Sequence, residues 1–228
     1  MRQPVEARSV PEAPPAAAAD DFGPSTQLAS TFDSSGVEPA PTVATFLYAR
    51  LHNFTAVCNA LGAEHAAGFV NEVRRMLTES VQKLGGEVAQ RRPDSILAVF
   101  CNKPEDKKPN HAQRGLHAAI LAVHDAVQLA HVVAGRPECA GVPMLSLACG
   151  VHLGVAELSR RAPGKVHAVG EAVEVARLLE VTAMDLGWSV ATSAGTRVAS
   201  AGRAEGGRIG SVSLPDNTFI DIVEVSGL

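Results

Sequence analysis

The sequence predicts an α/β (α+β) domain built on a single mixed sheet with helices against it. Short apolar runs alternate with longer segments of helical spacing, in the order strand-helix-strand-strand-helix-strand-strand-helix-strand. The apolar runs are too short for helices, and the periodic segments are too long for strands. No stretch repeats, so an array of small units is not expected.

Residues 1–42 are rich in Pro, Ala and Ser, as in Pro11-Glu12-Ala13-Pro14-Pro15-Ala16, and show no periodicity. Such a stretch buries too little apolar surface to offset its ordering entropy. It reads as a disordered tail, with residues 43–228 forming one domain. The Ser/Thr cluster between Ser25 and Ser35 would give that tail a docking or phosphorylation role.

Val43 to Ala49 is a continuous apolar run suited to a buried strand. Ala67, Val70, Val73, Met76, Leu77, Val81 and Leu84 recur at helical spacing and predict a helix over 63–84. Gly85-Gly86 stops it, because glycine accepts the left-handed cap conformation. Glu87 to Gln90 and Ser95 to Phe100 read as strands joined by a turn at Arg92-Pro93-Asp94. A second helix is expected from His111 to Val133, with Leu116, Ile120, Val123, Val127 and Ala130 along one face. Gly135 to Val142 reads as a loop. Leu145 to Leu153 and Val166 to Val169 read as strands, and Glu171 to Ala183 as a helix. Trp188 to Thr192 (strand), Ser193 to Ser200 (short helix) and Phe219 to Val225 (strand) complete the order.

Composition narrows the function. An apolar content of 46% supports a sizeable core, and a net charge of −4 gives no reason to expect nucleic acid. Cys58, Cys101, Cys139 and Cys149 lack the paired spacing of zinc or redox motifs and read as buried thiols in a reducing compartment. No apolar run is read as long enough for a membrane span, and the N-terminus lacks a signal-peptide pattern. A cytoplasmic protein without membrane insertion is expected.

Five fragments carry a family resemblance. Val43 to Thr55 is similar to the text "(V/T)-x-L-F-A-D-I-x-G-F-T". Gly85 to Phe100 is similar to "H-G-G-x-v-x-K-x-x-G-D-x-x-M-A-x-F". Gly150-Val151-His152-Leu153-Gly154-Val155 resembles "G-I-H-x-G-E", and Val169 to Glu180 resembles "I-G-D-T-V-N-L-A-A-R-L-E". The closing Phe219 to Gly227 adds "P-V-x-V-Y-E-V-x-G". In this order they resemble the catalytic domain of class III adenylate and guanylate cyclases over residues 43 to about 226. The resemblance implies a mostly antiparallel, ferredoxin-like cyclase homology fold.

It also implies a set of site residues, most of which depart from the family's chemistry. Two carboxylates hold two magnesium ions in the family; here the first falls on Arg50 and the second on Asp94. Two unit charges about 4 Å apart interact by roughly 4 kcal/mol at an effective dielectric near 20. A guanidinium in place of a carboxylate beside a divalent ion therefore costs on the order of 10 kcal/mol. An ion pair between Arg50 and Asp94, filling the metal site, is expected instead. The base-recognising lysine falls on Gln90, the second base-selecting position on His167 and the ribose-orienting asparagine on Glu174. The transition-state arginine falls on Leu178. Arg177, one residue earlier, points about 100° away on a helix and replaces it only across a gap in the alignment.

Other motifs weigh little. His117, His124 and His131 repeat every seven residues, about 10 Å apart along a helix, too far to share a metal. Gly202 to Gly210 lacks a phosphate-loop ending and reads as a flexible hairpin or surface loop. Lys103 to Lys108 reads as a solvated loop. The leading expectation is a degenerate, non-catalytic cyclase-like domain in intracellular signalling, needing no cofactor. It would act as a homodimer, or as a heterodimer with another cyclase-type domain or signalling protein. The alternatives are an active adenylate or guanylate cyclase with an atypical or partner-completed site, using Mg²⁺ or Mn²⁺, and an adaptor that works through its tail.

Overall fold

The computed structural model describes residues 37–102, 110–162, 165–201 and 204–227. The tail to residue 36 with its Ser/Thr cluster, the run Lys103 to Lys108, and residues 202 and 203 lie outside them. A long antiparallel ribbon forms the spine. β1 (Val37–His52) pairs with β4 (Ser146–Ala162) from Val37↔Arg160 to His52↔Ser146, with one register shift between Val37 and Ala40. Residues 37–42, assigned to the tail from composition, are therefore strand. Their pairing comes from distant residues of β4, from Val37↔Arg160 to Thr42↔Ala156, and Pro41 is tolerated because β3 does not reach that stretch.

The remaining strands are β2 (Glu87–Arg91), β3 (Ser95–Phe100), β5 (Lys165–Val169), β6 (Val190–Ser193), β7 (Glu205–Ser213) and β8 (Phe219–Gly227). They form one mixed sheet in the order β2-β3-β1-β4-β6-β8-β7, with β5 paired to β4. The β4–β6 pair is parallel and the others antiparallel. The Gly202–Gly210 segment thus runs into a strand, β7, on the sheet edge. Its glycines and exposed side chains hide that strand from any periodicity argument.

Both faces of β1 are covered, which explains its continuous apolar text. Leu47, Ala49 and Leu51 face α1 (Phe54–Lys83) and α2 (His111–Ala134). Phe46 and Tyr48 face α3 (Glu171–Leu186), which buries Ala172, Val173 and Ala176 against them. A short helix, α4 (Ala194–Ala199), follows β6.

α1 starts earlier than its apolar spacing suggests, because it is broken at Gly62 (φ 69°, ψ 169°). The limb after the break matches the expected helix over 63–84. The limb before it buries Val57 and Leu61 and stacks Phe54 on Phe69 at 5.4 Å. Asn53 opens α1 at φ 61°, a left-handed position that asparagine tolerates better than most residues. At the other end Gly86 N–H donates to Val81 O and Gly85 N–H to Gln82 O, the paired bonds of a Schellman cap.

Of the expected stripe, α2 buries Leu116 and Ala130, packs Ile120 and Val123 partly against the core and leaves Val127 47% exposed, while Ala112, Ala119, Ala122 and Ala126 complete its buried face. His117, His124 and His131 lie exposed on its outer side. By length and composition α2 is apolar enough to cross a membrane, contrary to the sequence expectation. In this fold its small-residue face lies on the sheet.

α3 approaches β4 closely. A Cβ at Gly150 would collide with the carbonyl of Ala176, and one at Gly154 would come within 2.7 Å of Ala172 Cβ. Glycine is required there to bring the site-bearing helix onto the sheet.

Candidate functional site

Strand alternation sends Tyr48, Arg50 and His52 to the α3 side of the sheet. Tyr48 is 2% exposed. Arg50 Nη2 donates to its hydroxyl at 3.1 Å, and the hydroxyl donates onward to Ser95 Oγ at 3.4 Å. Ser95 Oγ donates to Asp94 Oδ1 at 3.2 Å. The two positions that the resemblance assigns to metal carboxylates are thus joined by a relay through Tyr48 and Ser95.

The expected Arg50–Asp94 ion pair is not formed. Arg50 Nε instead lies 3.9 Å from Glu180 Oε2, and Asp94 acts on Arg50 only at longer range. The reason is position: Glu180 projects from α3 onto the C-terminal end of β1, beside Arg50 and His52, whereas Asp94 Oδ1 accepts from Ser95 at the turn. The bond to Tyr48, with Glu180 and Asp94 nearby, holds the Arg50 guanidinium above its ordinary pKa.

Glu180 is fully buried, with His52 Nε2 2.8 Å from its Oε1, while its Oε2 has no hydrogen-bond partner. Burial lifts the Glu180 carboxyl above the usual carboxylate range, and His52 and Arg50 pull it back. The neighbouring Cys149 thiol is also pushed up by burial and by Glu180. Glu180, His52 and Tyr48 were not singled out from sequence. A carboxylate one residue beyond Leu179, on a stripe that also buries Ala176 and Ala183, was the available signal.

A second cluster lies beyond Tyr48. Arg177 Nη2 donates to Gln90 Oε1 at 2.7 Å, and its guanidinium carbon stands 5.2 Å from the Tyr48 ring centroid, a contact that Arg50 also makes at 5.5 Å. Gln90, His167 and Arg177 line a cavity of about 190 Å³ together with Ala89, Leu97 and Ala168. The two base-side positions are therefore brought together, with Arg177 between them. Arg177 is engaged by Gln90 and by the Tyr48 ring.

Leu178 and Glu174 belong to a third region. Val175, Leu178, Val181, Leu214 and Pro215 floor a groove of about 570 Å³ between α3 and the β7–β8 turn. Glu171, Glu174 and Asp216 stand at this groove, all exposed. Glu174 lies 3.9 Å from Arg177 Nε.

The residues present do not fit the paired divalent cations that the fold family implies. One of the two carboxylate positions is a guanidinium, and Asp94 Oδ1 is engaged by Ser95. Among the described residues, no three His, Cys, Asp or Glu side chains converge in a metal-holding group.

Comparison with known proteins agrees with the fold. No protein-family model and no curated protein matches the chain. Solved structures do. The chain is similar to the adenylyl cyclase CyaB from P. aeruginosa (17% identity, TM-score 0.67, covering 84% of this chain and 97% of that one). It is similar to the guanylyl cyclase Cya2 (18%, 0.66, 84% and 95%). It is also similar to the non-canonical dimeric guanylyl cyclase domain of the RhoGC fusion protein from the fungus Blastocladiella emersonii (15%, 0.61, 83% and 97%). The chain spans only 53% of a bacterial light-regulated adenylyl cyclase.

Proposed function

We propose, from the fold of class III adenylyl and guanylyl cyclase domains that this chain has, that it is a cyclase-type signalling domain that has exchanged catalysis for association. One observation carries the reading. Arg50, at the first metal position, is bonded to Tyr48 and faces the buried Glu180. Seating a dication there would require expelling a guanidinium from its partners. The other departures agree with it: Leu178 offers no charge to a developing anion, and Glu174 would repel a triphosphate.

In this reading the domain needs no cofactor and works in the cytoplasm through a dimer with itself or with another cyclase-type domain. Val181 and Met184, on one face of α3, leave 44% and 41% of their surface exposed, an apolar patch suited to a partner. The RhoGC domain, of the same fold, is dimeric.

The test is an assay of purified protein with ATP or GTP and Mg²⁺ or Mn²⁺. No cyclic nucleotide above background is expected, and turnover would defeat the proposal. Arg50→Asp alone is expected to stay inactive, because Gln90, Glu174 and Leu178 still depart from the family's set.

A further inference from the structure

β7 ends the sheet, so one side of its backbone has no neighbouring strand among the described residues. Leu214 N–H donates to Thr218 O and Arg208 N–H to a Glu224 carboxylate oxygen, so both residues turn their N–H groups towards β8. Backbone groups alternate in an antiparallel ladder, and Ile209, Ser211 and Ser213 therefore turn theirs to the free edge. All three residues are exposed, Ile209 by 76%. The usual guards of such an edge lie in its first half, where register shifts up to Ile209 and the Arg208–Glu224 ion pair bend and charge it. From Ile209 to Ser213 the edge carries no proline, charge or register shift. On one face of the sheet these three residues stand opposite Val223, Asp221 and Phe219 of β8. Phe219 is 72% exposed, and the exposed Asp221 has no cationic partner among the described residues.

We infer that Ile209–Ser213 is a docking edge for an extended segment of a partner protein, which adds a strand beyond β7 and presents an apolar residue, a lysine or arginine, and a second apolar residue at alternate positions. Each of Ile209, Ser211 and Ser213 offers it one N–H and one C=O, and main-chain bonding of this kind supplies the affinity. The cross-strand rows supply the specificity. The first apolar residue packs on Ile209. The residue opposite Ser211 faces Asp221 across a side chain too small to separate them. From the added strand to β8 is about 10 Å, a gap that a long cationic side chain and a carboxylate close between them. The residue opposite Ser213 reaches Phe219 in the same way, over another serine. A second copy of β7 does not meet this pattern. Its own outward residues, Ile209, Ser211 and Ser213, bring no cation to Asp221 and only one apolar side chain. The inference is independent of the dimer proposed above and of whether the domain turns over nucleotide.

A nuclear magnetic resonance titration of the isotope-labelled full chain with the capped peptide acetyl-Thr-Val-Thr-Lys-Thr-Val-Thr-amide tests this. Binding with a dissociation constant of about 1 mM or tighter is expected, with amide shifts centred on Ile209, Ser211 and Ser213. The same peptide with glutamate for lysine is expected to bind on the order of tenfold more weakly, and Asp221→Lys to reverse that preference. Ser211→Pro removes an N–H that β8 does not use, so it is expected to keep the fold and lose the peptide. Methylating the backbone nitrogen of the peptide's lysine is expected to abolish binding as well. No shift at about 5 mM peptide, or equal affinity for the lysine and glutamate peptides, would overturn the inference. So would unchanged affinity in Ser211→Pro. Should that variant fail to fold, the methylated peptide decides on the unaltered protein, and its binding as tightly as the parent sinks the proposal. A wild type that ignores the peptide while Ser211→Pro changes its sedimentation would assign the edge to a second copy and overturn the occupant named here.

Discussion

His152 lies on β4 with its Nδ1 2.9 Å from Ser193 Oγ, and burial lowers its pKa to about 4. The unfolded chain binds a proton at this side chain near pH 6.5, whereas the folded protein does not until about pH 4. The unfolded state therefore holds more protons in that window, and stability falls as pH drops through it. The full shift corresponds to about 3 kcal/mol. Urea denaturation between pH 7 and 5 is expected to show about 2 kcal/mol of this loss, and His152→Gln to flatten the slope by up to one proton. A variant with the wild-type slope would show that another group carries the effect. Glu180 is linked in the opposite sense. Its raised carboxyl favours folding below its folded pKa and opposes it as pH rises through that value. The sequence showed that Arg50 had replaced a carboxylate, yet not which group would answer it. Asp94 was the nearer candidate by motif. Glu180 is 130 residues from Arg50 in the chain, and only the docking of α3 onto β1 makes them neighbours.

That docking depends on β4, and two glycines separate its causes. Gly150 has ordinary backbone but no room, since an added Cβ meets the Ala176 carbonyl. Gly62, in the kink of α1, has room but sits at φ 69° and ψ 169°, a conformation nearly restricted to glycine. Gly150→Ala is expected to cost about 3 kcal/mol or more, because α3 must lift from the sheet. Gly62→Ala is expected to cost about 1–3 kcal/mol through the backbone alone. Urea midpoints rank the two, and the reverse order would contradict this account of α3 packing. Elements with a strong apolar signal, the centre of β1, β3, the second limb of α1 and α3, were legible to within a few residues. Those held by distant partners were not. Residues 37–42 need β4, β7 needs β8, and β4 runs nine residues beyond its expected end at Leu153 because β1 and β5 flank a polar stretch there.

For the whole molecule, the fold was legible because its fragments recur in a fixed order, while the groove was not. Leu178 was read as a missing arginine rather than as part of a floor completed by Leu214 and Pro215. If Arg50 excludes the metal, as proposed, the molecule is indifferent to metal–nucleotide. ATP with Mg²⁺ or Mn²⁺ at about 1 mM is expected to leave the thermal midpoint within about 1 °C, since a ligand that does not bind the native state cannot stabilise it. A clear upward shift that EDTA abolishes would contradict the assignment at Arg50. The apolar length of α2 has a further consequence during synthesis. It packs between β1, which precedes it, and β4, which follows it. At the ribosome, α2 emerges before half of its cover has been translated. Until β4 follows, the apolar face that α2 lays on the sheet is uncovered on that side, and an exposed apolar surface of this kind is where chaperone capture competes with folding.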